Sequence, residues 1–176
     1  DELFAAWQAQ VGHFVEIKVR GNAVWERIFA EQAPAPFLSI ITDDCISTGR
    51  DYNAGGARYN TSYIQGVGIG SLTDSLSAIK HHVYDDGRLT LDEMLEALRD
   101  DFDGHEPLRR RLLDRTPKYG NDDDRADEIM VRCFETFFDA VDGRPNGRGG
   151  EYHIDMLPTT CHVYFGSVMG AMPDGR

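Results

Sequence analysis

Leu3, Phe4, Trp7, Val11, Phe14, Trp25, Ile28 and Phe29 recur largely at three- and four-residue steps, the period that gathers apolar side chains on one side of a helix. The pattern predicts helix from Asp1 to about Gln32, with Gly21-Asn22 as the place where it would break. Pro34 and Pro36 end it. Phe37 to Thr42 is a short, apolar, β-rich run, followed by Asp43-Asp44 and a loop that holds Gly49, Gly55 and Gly56.

Tyr63 to Ile69 alternates apolar and polar positions as a strand does, and Ser71-Leu72-Thr73-Asp74 then resembles a capping box opening a helix to about Tyr84. Thr90-Leu91-Asp92-Glu93 repeats that signal after the Asp86-Gly87 turn, and Leu91, Met94, Leu95 and Leu98 share one face of a helix reaching about Phe102. A shorter helix follows from Pro107. The acidic cluster Asn121 to Asp124 precedes Ala126, Ile129, Met130, Cys133, Phe134, Phe137 and Val141, where negative charge complements the positive end of a helix dipole. Beyond the Gly-, Pro- and Arg-rich loop 143–150, Tyr152, Ile154 and Met156, then His162-Val163-Tyr164-Phe165 after Pro158, read as extended segments.

With 41% hydrophobic and 27% charged residues, a chain of 176 residues can bury a core. It starts at Asp1 without a Met and stops at Asp174-Gly175-Arg176 straight after a turn signal, so both ends read as cuts in a longer chain. A net charge of -12 repels phosphate backbones and anionic lipid, which argues against nucleic-acid and membrane-surface partners. No apolar run approaches the ~20 residues that span a bilayer. Cys45, Cys133 and Cys161 are odd in number and far apart, a usage that fits a reducing cytoplasm better than a disulfide framework.

Gly66-x-Gly68-x-Gly70 lies between a strand and a helix, where a dinucleotide fingerprint would sit, but the third glycine of that fingerprint would fall on Ser71. Close backbone packing at the corner is the simpler account. Asp101-Phe102-Asp103-Gly104 has no Glu at the twelfth loop position and Asn121 to Asp124 has no glycine at the sixth, so neither fits a calcium loop. His81 and His82, as helix neighbours, point to different faces and lack the spacing that holds zinc. Cys161 and His162, as strand neighbours, cannot activate one another, and Cys133 and Cys161 read as small buried apolar residues. Gly55 to Asn60 and Met156 to His162 place polar groups in apolar surroundings, where they need partners or a ligand.

Those segments also carry a family resemblance. Gly55-Gly56-Ala57-Arg58-Tyr59-Asn60, Tyr63-Ile64-Gln65-Gly66-Val67-Gly68 and Thr73-Asp74-Ser75-Leu76-Ser77-Ala78-Ile79-Lys80 resemble the PFL domain of the glycyl radical enzymes, the pyruvate formate-lyase and radical dehydratase family. Pro117 to Asp123, Gly143 to Asn146, Met156 to Thr159 and Gly170 to Arg176 match it in the same order, so the resemblance spans nearly the whole chain.

The resemblance implies an α/β fold: residues 1–176 would be an internal part of a ten-stranded α/β barrel, with several outer helices. In such enzymes a radical-SAM activating enzyme installs a glycyl radical, which generates a thiyl radical on a barrel cysteine that attacks a small-molecule substrate. The thiyl cysteine sits in a Gly-Cys-Val-Glu-like motif and the radical glycine in an Arg-Val-x-Gly-Tyr-like loop, and neither pattern occurs here. Cys45, Cys133 and Cys161 therefore receive no radical role, and no catalytic, cofactor-binding or metal residue is assigned within the chain. The cysteine is expected before Asp1 and the glycine after Arg176, in a homodimeric full-length enzyme, the isolated chain being inactive.

The wording of Arg58 to Gln65 and Leu157 to Gly166 looks most like the trans-4-hydroxy-L-proline dehydratase branch. The alternatives are glycerol or propanediol dehydratase, choline trimethylamine-lyase, an acyltransferase of the pyruvate formate-lyase type and, more remotely, a nucleotide-binding module.

Overall fold

The computed structural model describes residues 1–157 and 159–176. Helix α1 runs unbroken over Glu2–Gln32. Gly21 does not break it, since an isolated glycine costs a helix only about 1 kcal/mol and nothing here removes a backbone hydrogen bond. Helix α2 occupies Pro36–Ile41, α3 Cys45–Thr48, and a single 3₁₀ turn Tyr52–Ala54. Strand β1 is Ser62–Gln65 and α4 is Ile69–Ile79, continued by a π-helical turn over Lys80–Asp85. Then come α5 (Leu91–Arg99), α6 (Glu106–Arg115), α7 (Asp124–Val141), β2 (Tyr152–Asp155) and α8 (Cys161–Val168).

Two sequence expectations are corrected. The β-rich run 37–42 is helical because Pro36, in the first turn, has its φ preset for a helix, and because Asp51 caps the turn from outside. The Asp51 carboxylate accepts from the Ala35 amide at 2.9 Å and the Ser39 hydroxyl at 2.7 Å, and the Ser39 bond in particular holds its pKa below the ordinary value. His162 to Phe165, read as extended, lie in α8, whose first turn closes locally through Thr159 and Thr160 carbonyls. An extended segment needs a neighbouring strand for its amides, and among the described residues β1 and β2 pair only with each other. Pro158, part of the Met156 to Thr159 match, lies outside the described residues.

The start of α4 also differs from the capping-box reading. Ser71 to Asp74 lie inside the helix, which opens at Ile69 behind Gly68 in the left-handed conformation (φ 83°). The second capping signal does act as read: Thr90 Oγ1 accepts from the Glu93 amide and Glu93 Oε2 from the Thr90 amide at 2.8 Å.

The chain divides into two compact units. The first comprises Asp1–Gly66 and Thr136–Met156. Its strands pair in parallel, from Ser62 opposite Tyr152 to Gln65 opposite Asp155, and its core gathers Val15, Ile64, Val141 and Tyr152. The second comprises Val67–Glu135 and Leu157–Arg176, around a core of Ala78, Leu89, Met94, Ala97, Phe102 and Leu112.

Candidate functional site

In the first unit, the Gly55 to Asn60 turn and the Gly143 to Gly150 loop interlock. Gly55 has φ 78°, and a Cβ on Gly56 would lie 2.0 Å from the Arg50 carbonyl oxygen, so the turn is built for glycine at both positions. Asn146 is the clasp. Its Nδ2 donates to the Asn60 carbonyl and, at 3.0 Å, to the Ser62 hydroxyl, while its Oδ1 accepts from the amides of Arg148 (3.0 Å) and Gly150 (2.8 Å). Glu26, from α1, accepts from the Ser62 hydroxyl and from the Gly147 amide at 2.8 Å. Arg148 donates to the Thr61 carbonyl at 2.7 Å and stands 3.9 Å from Glu26, both side chains mostly buried. Arg58 of the same turn pairs with Asp43 and Asp44, and Arg144 binds Glu16 at 2.6 Å, the main reason the Glu16 carboxyl is held below its usual pKa. Most of the polar groups that needed partners find them in the protein, although Asn60 Oδ1 and Arg148 Nε are buried without a hydrogen bond.

The second unit contains a matching knot. Asp74, 3% exposed, accepts from the Tyr119 amide at 2.9 Å and pairs with Arg176 at 3.0 Å. Arg176 also pairs with the wholly buried Asp174 at 2.9 Å, and Lys118 donates to the Asp174 carbonyl at 3.3 Å. Ser77 donates to the Pro117 carbonyl at 2.6 Å. One arginine between two buried carboxylates therefore ties the 170–176 segment to α4 and the Pro117 to Asp123 segment. Nothing in local spacing signals that the charges of Asp74, Asp174 and Arg176 meet, or that Glu26 reaches Ser62 and Gly147.

The remaining candidates take plain roles. A Cβ on Gly66 would lie 2.8 Å from the Met156 sulfur and 2.9 Å from the Phe137 ring, so that glycine serves close packing, in agreement with the simpler account of the corner. Asp101 and Phe102 both have positive φ and terminate α5 while Phe102 enters the core. Asp123 binds Arg125 at 2.6 Å at the start of α7. All three cysteines are free thiols. Cys133 is buried, and desolvation pushes its thiol up to about 11. Cys45 is also buried, whereas Cys161 is exposed, contrary to its reading as a small core residue, because it opens α8, every residue of which is exposed. Cys161 and His162 remain neighbours, now on a helix.

The two histidines depart from expectation. Their rings lie 4.7 Å apart, edge to face, and one ligand atom from each of His81, His82 and Asp86 falls within a 4.8 Å cluster. The π turn is the cause: the Asp86 amide bonds back to the His81 carbonyl, bringing residues five apart onto one face, where an α-helix would separate them. His82 is 1% exposed and bonded through Nε2 to Thr116 Oγ1 at 3.1 Å. Desolvation, then the neighbouring His81 and Arg111, push its pKa down to about 4, so it is neutral near pH 7.

The Pyruvate formate lyase-like family model matches residues 1–166. The chain is 54% identical, over all 176 residues, to trans-4-hydroxy-L-proline dehydratase of Clostridioides difficile, of which it covers 22%. Its structure superposes on hydroxyproline dehydratase from Clostridioides difficile with trans-4-hydroxy-L-proline bound (TM-score 0.95, 55% identity, 99% of this chain and 22% of that one). It also superposes on a glycyl radical enzyme from Archaeoglobus fulgidus (TM-score 0.91, 40% identity, 99% and 22%). The chain thus spans between a fifth and a quarter of these relatives' length. Family model, sequence and superposition agree: the chain belongs to the pyruvate formate lyase-like family.

Proposed function

We propose that residues 1–176 are an internal part of the barrel domain of a glycyl radical dehydratase that removes water from a small hydroxylated substrate, trans-4-hydroxy-L-proline first among them. The observation that carries this is the 54% identity with the hydroxyproline dehydratase over every residue of the chain. The parallel pair β1–β2 would be two neighbouring strands of a ten-stranded barrel, and α1 and α4 to α7 would belong to its outer layer.

The chain's share is positional. The Asn146 clasp and the Asp74–Arg176–Asp174 knot hold loop backbone in fixed places, as a barrel must if it is to enclose radical chemistry and exclude water and oxygen. The three cysteines give the thiyl role no support: Cys45 and Cys133 are buried, Cys133 lies within α7, and Cys161 is followed by His162 rather than by Val-Glu. The cysteine and the glycine are placed outside these 176 residues, with a radical-SAM activase, a homodimeric full-length enzyme and a reducing cytoplasm as its setting. The isolated chain is expected to be inactive.

The test is electron paramagnetic resonance and substrate consumption by the activated full-length protein. A glycyl radical signal with turnover of trans-4-hydroxy-L-proline in preference to glycerol, 1,2-propanediol and choline is the expected result. Preference for one of the others moves the substrate within the family, and absence of any radical signal after activation overturns the reading.

A further inference from the structure

The cleft beside the π turn is lined by His81, His82, Arg88, Arg110, Arg111 and Arg115, with Asp86 and Asp114, and measures about 670 Å³, the size of a small-molecule site. Two polar atoms buried here have no hydrogen-bond partner, His82 Nδ1 and Arg111 Nε. A buried polar atom without a partner costs on the order of 1–3 kcal/mol, and both of these belong to residues that line one cleft, where an acceptor would satisfy them.

The His81, His82 and Asp86 cluster invites a transition-metal reading, since a neutral imidazole anchored through its other nitrogen is a good ligand. Charge decides against it. Four guanidiniums line the cleft against two carboxylates, and the Asp86 carboxylate is already within 3.7 Å of Arg88. Arg111 and Lys118 both disfavour positive charge at His82, and only Asp86 opposes them. A divalent cation would enter a positive potential, whereas an anion would be drawn to it.

We propose that this cleft binds a small oxyanion, a phosphate or sulfate group, held by the Arg111 guanidinium and by His82 Nδ1–H, with Arg110 and Arg115 supplying further charge. In the tautomer this requires, the Thr116 hydroxyl donates to His82 Nε2 and leaves the proton on Nδ1. Arginine suits the role because its fork of N–H donors matches an oxyanion's geometry and it stays charged. The site lies wholly within the second unit and is independent of the reaction proposed above.

The experiment is calorimetric titration of the full-length protein with inorganic phosphate, and separately with sulfate, at low and fixed ionic strength, alongside zinc chloride in a phosphate-free buffer. Saturable binding of one oxyanion per chain is expected. Arg111→Gln should weaken it at least about tenfold, the loss of a charge-assisted hydrogen bond. Because Arg111 is half-buried, the double variant Arg110→Gln/Arg115→Gln, at exposed positions, is the control for folding. It should weaken binding about threefold or more through lost local charge, with an unchanged melting temperature. Absence of oxyanion binding, binding unaltered in both variants, or saturable zinc binding lost in His82→Asn with no oxyanion response would each overturn the proposal.

Discussion

Replacing Gly56 by alanine tests whether the Gly55 to Asn60 turn is specified by space or by conformation. The added Cβ would lie 2.0 Å from the Arg50 carbonyl oxygen, 2.7 Å from its carbon and 3.0 Å from the Asp51 oxygen. Ordinary carbon–oxygen contacts are no closer than about 3.3 Å, so backbone must move by more than an ångström. All three clashing atoms are main chain, so no side chain can swing aside. The displaced residues also carry the Asp51 bonds to Ala35, Ser39 and the Gly56 amide. Overpacking of this kind costs about 1–3 kcal/mol, and the fixed backbone places Gly56→Ala at about 3. Hydrogen exchange of peptides covering 50–56 in the full-length protein reads the local opening directly, and about 3 kcal/mol corresponds to exchange on the order of a hundredfold faster. Gly21→Ala, inside α1 with no atom within 4 Å of the new methyl, is the control and should be neutral or stabilising by up to about 1 kcal/mol. If 50–56 exchange at the same rate in both variants, the steric account of this turn is wrong.

Asp74→Ala should cost about 2–3 kcal/mol, because it removes the buried acceptor of the Tyr119 amide and one partner of Arg176, while Asp74→Asn should recover roughly half by keeping the amide's acceptor; equal losses in denaturant unfolding would refute the division. His82 makes stability depend on acidity: its folded pKa of about 4 lies below the usual 6.5, so the stability it permits is complete above pH 6.5 and is lost as the pH falls through 4. The loss amounts to about 3 kcal/mol, and melting temperatures from pH 7 to 4 should fall less steeply in His82→Asn than in the parent. Cys45 and Cys133 should resist iodoacetamide at pH 8 until denaturant is added, and native labelling of Cys133 seen by mass spectrometry would contradict its burial and its raised pKa.

Local chemistry alone determined a good part of this protein. The Thr90–Glu93 capping box, the stripe of α5 and the acid-led stripe of α7 are legible because each depends on residues a few positions apart. The ordered segments from Gly55 to Arg176 likewise disclosed the family, although not why those residues matter. Tertiary structure decided the rest. A proline in the first turn and a carboxylate fifteen residues beyond it made a helix of Phe37 to Ile41, and α8 formed where no described strand offers pairing. One π turn brought His81 to the face that His82 and Asp86 share, where α-helical geometry would have parted His81 from Asp86. The bond of the Gly147 amide to Glu26 and the bridge of Arg176 to Asp74 join residues 121 and 102 positions apart in sequence. No periodicity carries such a contact, because burying a charge or an amide is favourable only when the folded chain brings its partner to it.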